Sequence, residues 1–235
     1  MRITRLVAGS VTAGLLGLTP IAIAAPSQAT VTLSTATVAT PSETRLVYGD
    51  SFDVSVDVDG SDGQGVYDGT STLYAMEAGS TAWVPVATGT YPTSSFYDVK
   101  PATETTYKVV YTGYTDTDQG TYGKNYTATT AYEDNYASSE SATFTVGVAR
   151  KITLPSSGFV LRGKVTPDYA KKKIVIKVSK KQNKGYKSFK TIKTTSAGKY
   201  KITLPRRGGT WYWSFVVKGD DRFLANGFVW KTFVG

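Results

Sequence analysis

Apolar and polar residues alternate with a period of two along several stretches of this chain. In "SFDVSVDV", Phe52, Val54, Val56 and Val58 fall on one side and Asp53, Ser55, Asp57 and Asp59 on the other. This is the pattern of a half-buried strand. "TYKVVYTG", "ATFTVGV", "KYKITLP" and "TWYWSFVVKG" are further short runs rich in β-branched and aromatic residues. Clusters of Gly, Pro, Asn and Asp, such as "DGSDGQG", "SAGK", "PRRGG" and "KGDD", punctuate them as turns. Many short strands at a spacing of roughly 8–12 residues predict an all-β chain built as a sandwich.

The elements recur in the same order in the two halves. "STLYAMEAGSTAWVPVAT" parallels "IVIKVSKKQNKGYKSFKTIKT" as strand, polar turn, aromatic, strand. "TTYKVVYTG…EDNYASSESATFTV" parallels "TWYWSFVVKGDDRFLANGFVWKTF". Two copies of one sandwich unit are therefore expected. Trp211, Trp213 and Phe215 share one strand face, where the first copy has Tyr107, Val109 and Tyr111, and they are expected in the core. Exposed, the same row would be a sugar-stacking platform.

The amino terminus changes the picture of where the protein works. Arg2 and Arg5 precede the small, apolar run "LVAGSVTAGLLGLTPIAIAA", and Ser27-Gln28-Ala29 places small residues before a cleavage point. Residues 1–29 read as a secretory signal peptide. Pro20 breaks the run near its end, so the uninterrupted part is shorter than the ~20 residues of a spanning helix, and no later segment could span a bilayer. The chain has no cysteine, so its stability must come from packed cores rather than disulfides.

Composition also excludes chemistry. Without His or Cys there is no Ser-His-Asp triad and no Cys-His pair, and zinc loses its usual ligands. Paired carboxylates are available, but no spacing singles out a pair. The reading is a non-enzymatic protein without a cofactor or metal.

The formal charge of +9 hides a division. Residues 31–148 hold four Lys and Arg against fifteen Asp and Glu, a net −11, whereas residues 149–235 hold twenty-one against three, a net +18. This shift places a domain boundary near Val148-Ala149-Arg150, giving an acidic domain over 30–148 and a basic one over 149–235.

On these residues the chain resembles the tandem immunoglobulin-like domains of secreted actinobacterial proteins. The first copy carries the likeness in "VYGDSFDVSVDV", "TETTYKVVYTG" and "NYASSESATFTVGVARK", the second in "RGKVTPDYAKKKIVIKVSKK", "SAGKYKITLP" and "GTWYWSFVVKGDDRF". The resemblance implies two tandem immunoglobulin-like β-sandwiches after the signal peptide. It implies no catalytic residue, because such domains serve as spacers, adhesive modules and binding units.

The copies differ at one place. Gly219 is followed at once by Asp220-Asp221-Arg222-Phe223, whereas "YTDTDQGTYGKNYTATTAY" separates Gly113 from the matching Glu133-Asp134-Asn135-Tyr136. A loop of Tyr, Thr, Gly, Asp and Asn has the make-up of antibody-type contact loops. Tyr114, Tyr122, Tyr126 and Tyr132 are its candidate ligand contacts, against the plainer reading of a solvated hairpin extension. "DVDGSDGQG" and "DTDQGTYGKNYT" invite calcium, but neither fits the EF-hand spacing, and solvated acidic turns are the favoured reading.

"AKKKIVIKVSKKQNKGYKSFKTIKTT" contains ten lysines over residues 170–195. Ile174, Ile176 and Val178 predict a strand with one face on a core. Asn183-Lys184-Gly185 predicts a turn, and the uneven spacing of Tyr186, Phe189 and Ile192 predicts a bulge on the return strand. Lys171, Lys172, Lys173, Lys177, Lys180, Lys181, Lys184, Lys187, Lys190 and Lys193 are the candidate polyanion contacts. The plainer alternative is a solvated sheet face. A net +18 attracts polyanions in a salt-sensitive way, and lysine favours point-charge attraction over bidentate recognition.

No helix-turn-helix, zinc-finger or RNA-binding signature is present, which argues against sequence-specific nucleic-acid binding. The expected partner is an anionic cell-wall polymer or another extracellular polyanion. The expected location is extracellular, or wall-associated without a covalent link. Self-association of acidic and basic halves, as a structural or assembly role, is the alternative.

Overall fold

The structure is a computed structural model that describes residues 32–115, 135–155 and 157–235. The signal-peptide residues 1–29 and the loop tyrosines Tyr122, Tyr126 and Tyr132 lie outside these residues. The described part is all β. Its first strands are β1 (Thr32–Leu33), β2 (Thr35–Pro41), β3 (Arg45–Val47), β4 (Phe52–Gly60), β5 (Ser71–Glu77) and β6 (Val84–Thr88). There follow β7 (Phe96–Val99), β8 (Thr105–Tyr111), β9 (Asn135–Tyr136), β10 (Ser139–Glu140) and β11 (Phe144–Ala149). The remaining strands are β12 (Lys151–Ile152), β13 (Val160–Thr166), β14 (Lys173–Ser179), β15 (Lys187–Lys193), β16 (Lys199–Thr203), β17 (Gly209–Val217) and β18 (Asn226–Val234). Among the described residues no helix is long and apolar enough to cross a membrane.

Strand order identifies the architecture. One sheet runs β2-β4-β7, and the sheet facing it runs β3-β11-β8-β5-β6, with β3 parallel to β11. The second copy repeats the plan with β12-β13-β16 facing β15-β14-β17-β18. These are the A-B-E and G-F-C-C′ sheets of an immunoglobulin-like sandwich, formed twice in one chain. The sequence parallels hold in space, because β5 with β6 and β14 with β15 are the C–C′ pairs and β8 with β11 and β17 with β18 the F–G pairs.

Each sandwich closes on its own core. Alternation along β4 buries Phe52, Val54, Val56 and Val58, which join Leu73 of β5 and Tyr107, Val109 and Tyr111 of β8. Phe52 meets Tyr107 edge-on at 5.3 Å, and Tyr107 stacks on Phe144 at 5.6 Å. The second core is built on Ile174, Ile176 and Val178 of β14 and Trp213 and Phe215 of β17. Trp211 and Trp230 pack against it from the half-buried margin, so the aromatic row is core rather than a sugar platform. Trp213 is fully buried, and its Nε1 donates to the Thr232 hydroxyl at 2.9 Å. Truncating it to alanine would cost about 3–5 kcal/mol.

The expected bulge lies on β15. Ile176 pairs with Lys190 and Lys177 with Ser188, leaving Phe189 as the extra residue, which packs edge-on to Trp213 at 4.9 Å. One position departs from simple alternation. Ser179, on the strand face of Lys177, is buried because its hydroxyl donates to Lys184 O at 2.6 Å and accepts from Lys181 N–H at 2.9 Å. It folds the following turn back onto the strand end.

One residue, Arg150, separates β11 from β12. The loop after β17 returns to the first sandwich, where Leu224 N–H donates to Val148 O at 2.8 Å and Arg222 O accepts from Glu104 N–H at 2.9 Å. Arg45 Nη2 donates to Ala225 O at 2.7 Å, and Asn226 Nδ2 donates to Arg150 O at 2.7 Å. Arg150 is itself buried, with Nη2 on Asp220 Oδ2 at 2.7 Å and its guanidinium 4.1 Å from the Phe223 ring.

Candidate functional site

The frame of the site is the loop between β13 and β14, tied to the far end of β15. Tyr169 is buried, and its hydroxyl donates to Lys173 O at 2.6 Å. Burial raises that hydroxyl's pKa above its ordinary value. The buried Thr194 hydroxyl donates to Tyr169 O and accepts from Lys172 N–H at 3.1 Å. Lys171 N–H donates to Thr195 O at 3.1 Å, and Lys171 takes a left-handed backbone, φ 54°, that side chains other than glycine rarely adopt. The backbone of three consecutive lysines is thus pinned from several directions while their side chains stay exposed.

A cleft of 410 Å³ opens on this frame. Lys171, Lys172, Lys173, Lys193 and Lys218 line it, together with Tyr169, Gly219 and Asp220. Lys173 stands directly opposite Lys193 in the β14–β15 ladder, a like-charge pair that costs stability. The single carboxylate of the lining, Asp220, is committed to Arg150 at 2.7 Å. Among the described residues, no carboxylate lies within 4 Å of any of the five lysines. The arrangement can hold an anion by converging point charges.

The structure brings together four of the ten predicted lysines and separates the other six. Lys177 lies along β14, Lys190 on the edge strand β15, and Lys180, Lys181, Lys184 and Lys187 surround the distal turn. Seven residues of strand, about 20 Å, divide that turn from the cleft. At the distal end Lys180 Nζ lies 5.3 Å and the Arg207 guanidinium 4.7 Å from the Trp211 ring. Lys218 is the cleft residue that sequence reasoning missed. Its neighbours in sequence are apolar or acidic, and only the pairing of β14 with β17 brings it beside Lys173.

Of the loop tyrosines, Tyr114 is described and stands at the base of the insert. Tyr114 and Tyr136 exchange two backbone hydrogen bonds at 2.9 Å, just as Asp220 and Phe223 pair in the second sandwich. The glycines before them match as well. A Cβ on Gly113 would lie 2.8 Å from Tyr136 O, and one on Gly219 would lie 2.6 Å from Phe223 O. The insert therefore sits between equivalent positions of the two F–G connections. Among the described residues no group of three or more acidic side chains gathers where a metal ion could be held.

No family model and no curated protein matches this chain. Among solved structures, it is similar to the human OSCAR ligand-binding domain at 13% identity and a TM-score of 0.26, covering 83% of this chain and 96% of that one. It is similar also to the chicken CNTN1 FN1-FN3 domains at 13% identity and a TM-score of 0.28, covering 86% of this chain and 66% of that one. Superposition this loose adds nothing to the strand order. That order makes the chain a pair of immunoglobulin-like sandwiches.

Proposed function

We propose that this is a secreted, non-enzymatic binding protein whose basic half, residues 149–235, holds an anionic polymer of the cell envelope. The acidic half, residues 30–148, projects away from that anchor and presents the tyrosine-rich insert. The observation that carries the reading is the cleft of Lys171, Lys172, Lys173, Lys193 and Lys218, uncompensated by any carboxylate within 4 Å among the described residues. Repeating phosphate or carboxylate groups suit such a cleft, since ammonium groups attract them without demanding one geometry.

The test is sedimentation of the full chain with purified bacterial cell walls, at low and high salt, before and after stripping of anionic wall polymers. The wild-type chain should pellet at low salt and be released by salt or stripping. Glutamine at the five cleft lysines should weaken pelleting strongly, while glutamine at Lys180, Lys181, Lys184 and Lys187 should leave most of it. A wild-type chain that stays in the supernatant ends the reading.

A structural role through opposite charges is the second reading. It is favoured by Asp53, Asp57 and Asp59, which all point outward from β4. Oligomers whose size collapses in salt, in the absence of any polymer, would select it.

A further inference from the structure

The three-stranded sheet of the second sandwich carries a cationic array separate from the lysine-rich hairpin. In the β13–β16 ladder Arg162 stands directly opposite Lys201, and Lys164 directly opposite Lys199. Lys151 of β12 stands opposite Thr166 on the same side of the sheet. All five cations are exposed, while the intervening Leu161, Val165, Tyr200 and Ile202 are buried in the core. The remaining outward positions of β13 and β16, namely Val160, Thr166 and Thr203, are uncharged. Among the described residues no carboxylate lies within 4 Å of any of the five.

Two adjacent like-charge pairs are an expensive way to keep a sheet soluble. Opposed side chains in a ladder have Cβ atoms about 5 Å apart, and like charges so placed destabilise the pair. Along each strand the cations repeat every second residue, or about 7 Å. A single acidic residue at either position of a pair would relieve the repulsion, yet this face has none. The result is a grid of positive charge complementary to an extended chain of repeating anions.

We infer that this face is a polyanion-binding surface in its own right, so that the basic sandwich engages two lengths of anionic polymer at once. Lys173 and Lys193 of the cleft stand on the outward side of the other sheet. Because the two sheets pack core to core, their outer faces point away from each other. Polymer on one side is not shared with the other, and the sandwich bridges strands. This inference rests on the reading that the basic half takes anionic polymer.

The probe is long-chain inorganic polyphosphate, with tripolyphosphate as a short form too small to bridge. The full wild-type chain should cluster the long form, read as light scattering. Glutamine at Lys151, Arg162, Lys164, Lys199 and Lys201 should lower that scattering at least about tenfold, because bridging needs both sites. The same variant should bind tripolyphosphate within about threefold of wild type through the cleft, because none of its five positions lines that cleft. Lys199→Glu with Lys201→Glu gives a second variant whose fold is favoured, since each change turns a repulsive pair into an attractive one. It should melt no lower than wild type and should also fail to cluster.

Variants of this face that cluster polyphosphate like the wild type overturn the inference. A wild-type chain that binds no polyphosphate overturns it together with the proposed function. If the cleft variant keeps full affinity while the sheet variant loses it, the cleft fails as the anchor and the claim of two bridged lengths is overturned.

Discussion

Arg150 Nη2 and Asp220 Oδ2 meet at 2.7 Å, with the arginine side chain 3% exposed and the aspartate 42% exposed. The pair joins the residue between the two sandwiches to the wall of the lysine cleft. Burial disfavours the charged aspartate, but hydrogen bonds from Arg150 and from the backbone N–H groups of Arg222 and Phe223 outweigh it and hold the carboxyl below its ordinary value. Asp220→Asn should therefore destabilise the chain by about 1–3 kcal/mol in urea unfolding at neutral pH, because the buried guanidinium loses its counter-charge. The folded pKa lies below the unfolded one, so the stabilisation is full above about pH 4 and fades as pH falls through the folded value. The gap between variant and wild type should close in strong acid.

Alkaline pH should act through the cores. Burial pushes the hydroxyls of Tyr107, Tyr111 and Tyr200 up to about 12. The unfolded chain releases these protons near pH 10, so the stabilisation from the three tyrosines is complete below that value and is lost as pH rises towards 12. Ultraviolet titration should show a late class of tyrosines that ionise together with unfolding. Tyr200→Phe should flatten part of that decline, at a neutral-pH cost of about 1 kcal/mol for its hydrogen bond to Thr153 O.

Three lysines of the strip protect a sheet edge. Lys187, Lys190 and Lys193 sit on β15, an open edge of its sheet. Charged residues on an edge prevent pairing with another chain. Threonine at all three should raise light scattering with protein concentration, in the absence of any polyanion. Unchanged scattering would show that this edge does not need their charge.

Gly219 holds the loop that carries Lys218, Asp220 and Leu224. A Cβ there would meet Phe223 O at 2.6 Å and Ala225 N at 2.7 Å, both backbone atoms that cannot step aside. Gly219→Ala should cost about 1–3 kcal/mol and weaken polyanion binding together with stability. Loss of stability with full binding would detach the cleft from this loop.

Much of the fold was legible because burial leaves a local trace. The alternation of Phe52, Val54, Val56 and Val58 marked β4, and the misfit of Phe189 and Ile192 marked the bulge. The doubling of the sandwich could be read because the order of elements repeats. The basic face of Arg162, Lys164, Lys199 and Lys201 was not read as a unit, since what unites it is the register between strands thirty-odd residues apart. Arg150 read only as a mark of changing composition, because burial of a lone charge depends on Phe223 and Asp220, which the fold delivers from the far end of the chain. Lys218 was missed for the same reason.

The single residue between β11 and β12 has a mechanical consequence. A connector of about ten residues would pay out roughly 35 Å before resisting a pull. Here force entering one sandwich passes at once into the hydrogen-bonded ladders of the other, along strands that continue across the join. Between the two sandwiches the chain thus transmits load without slack.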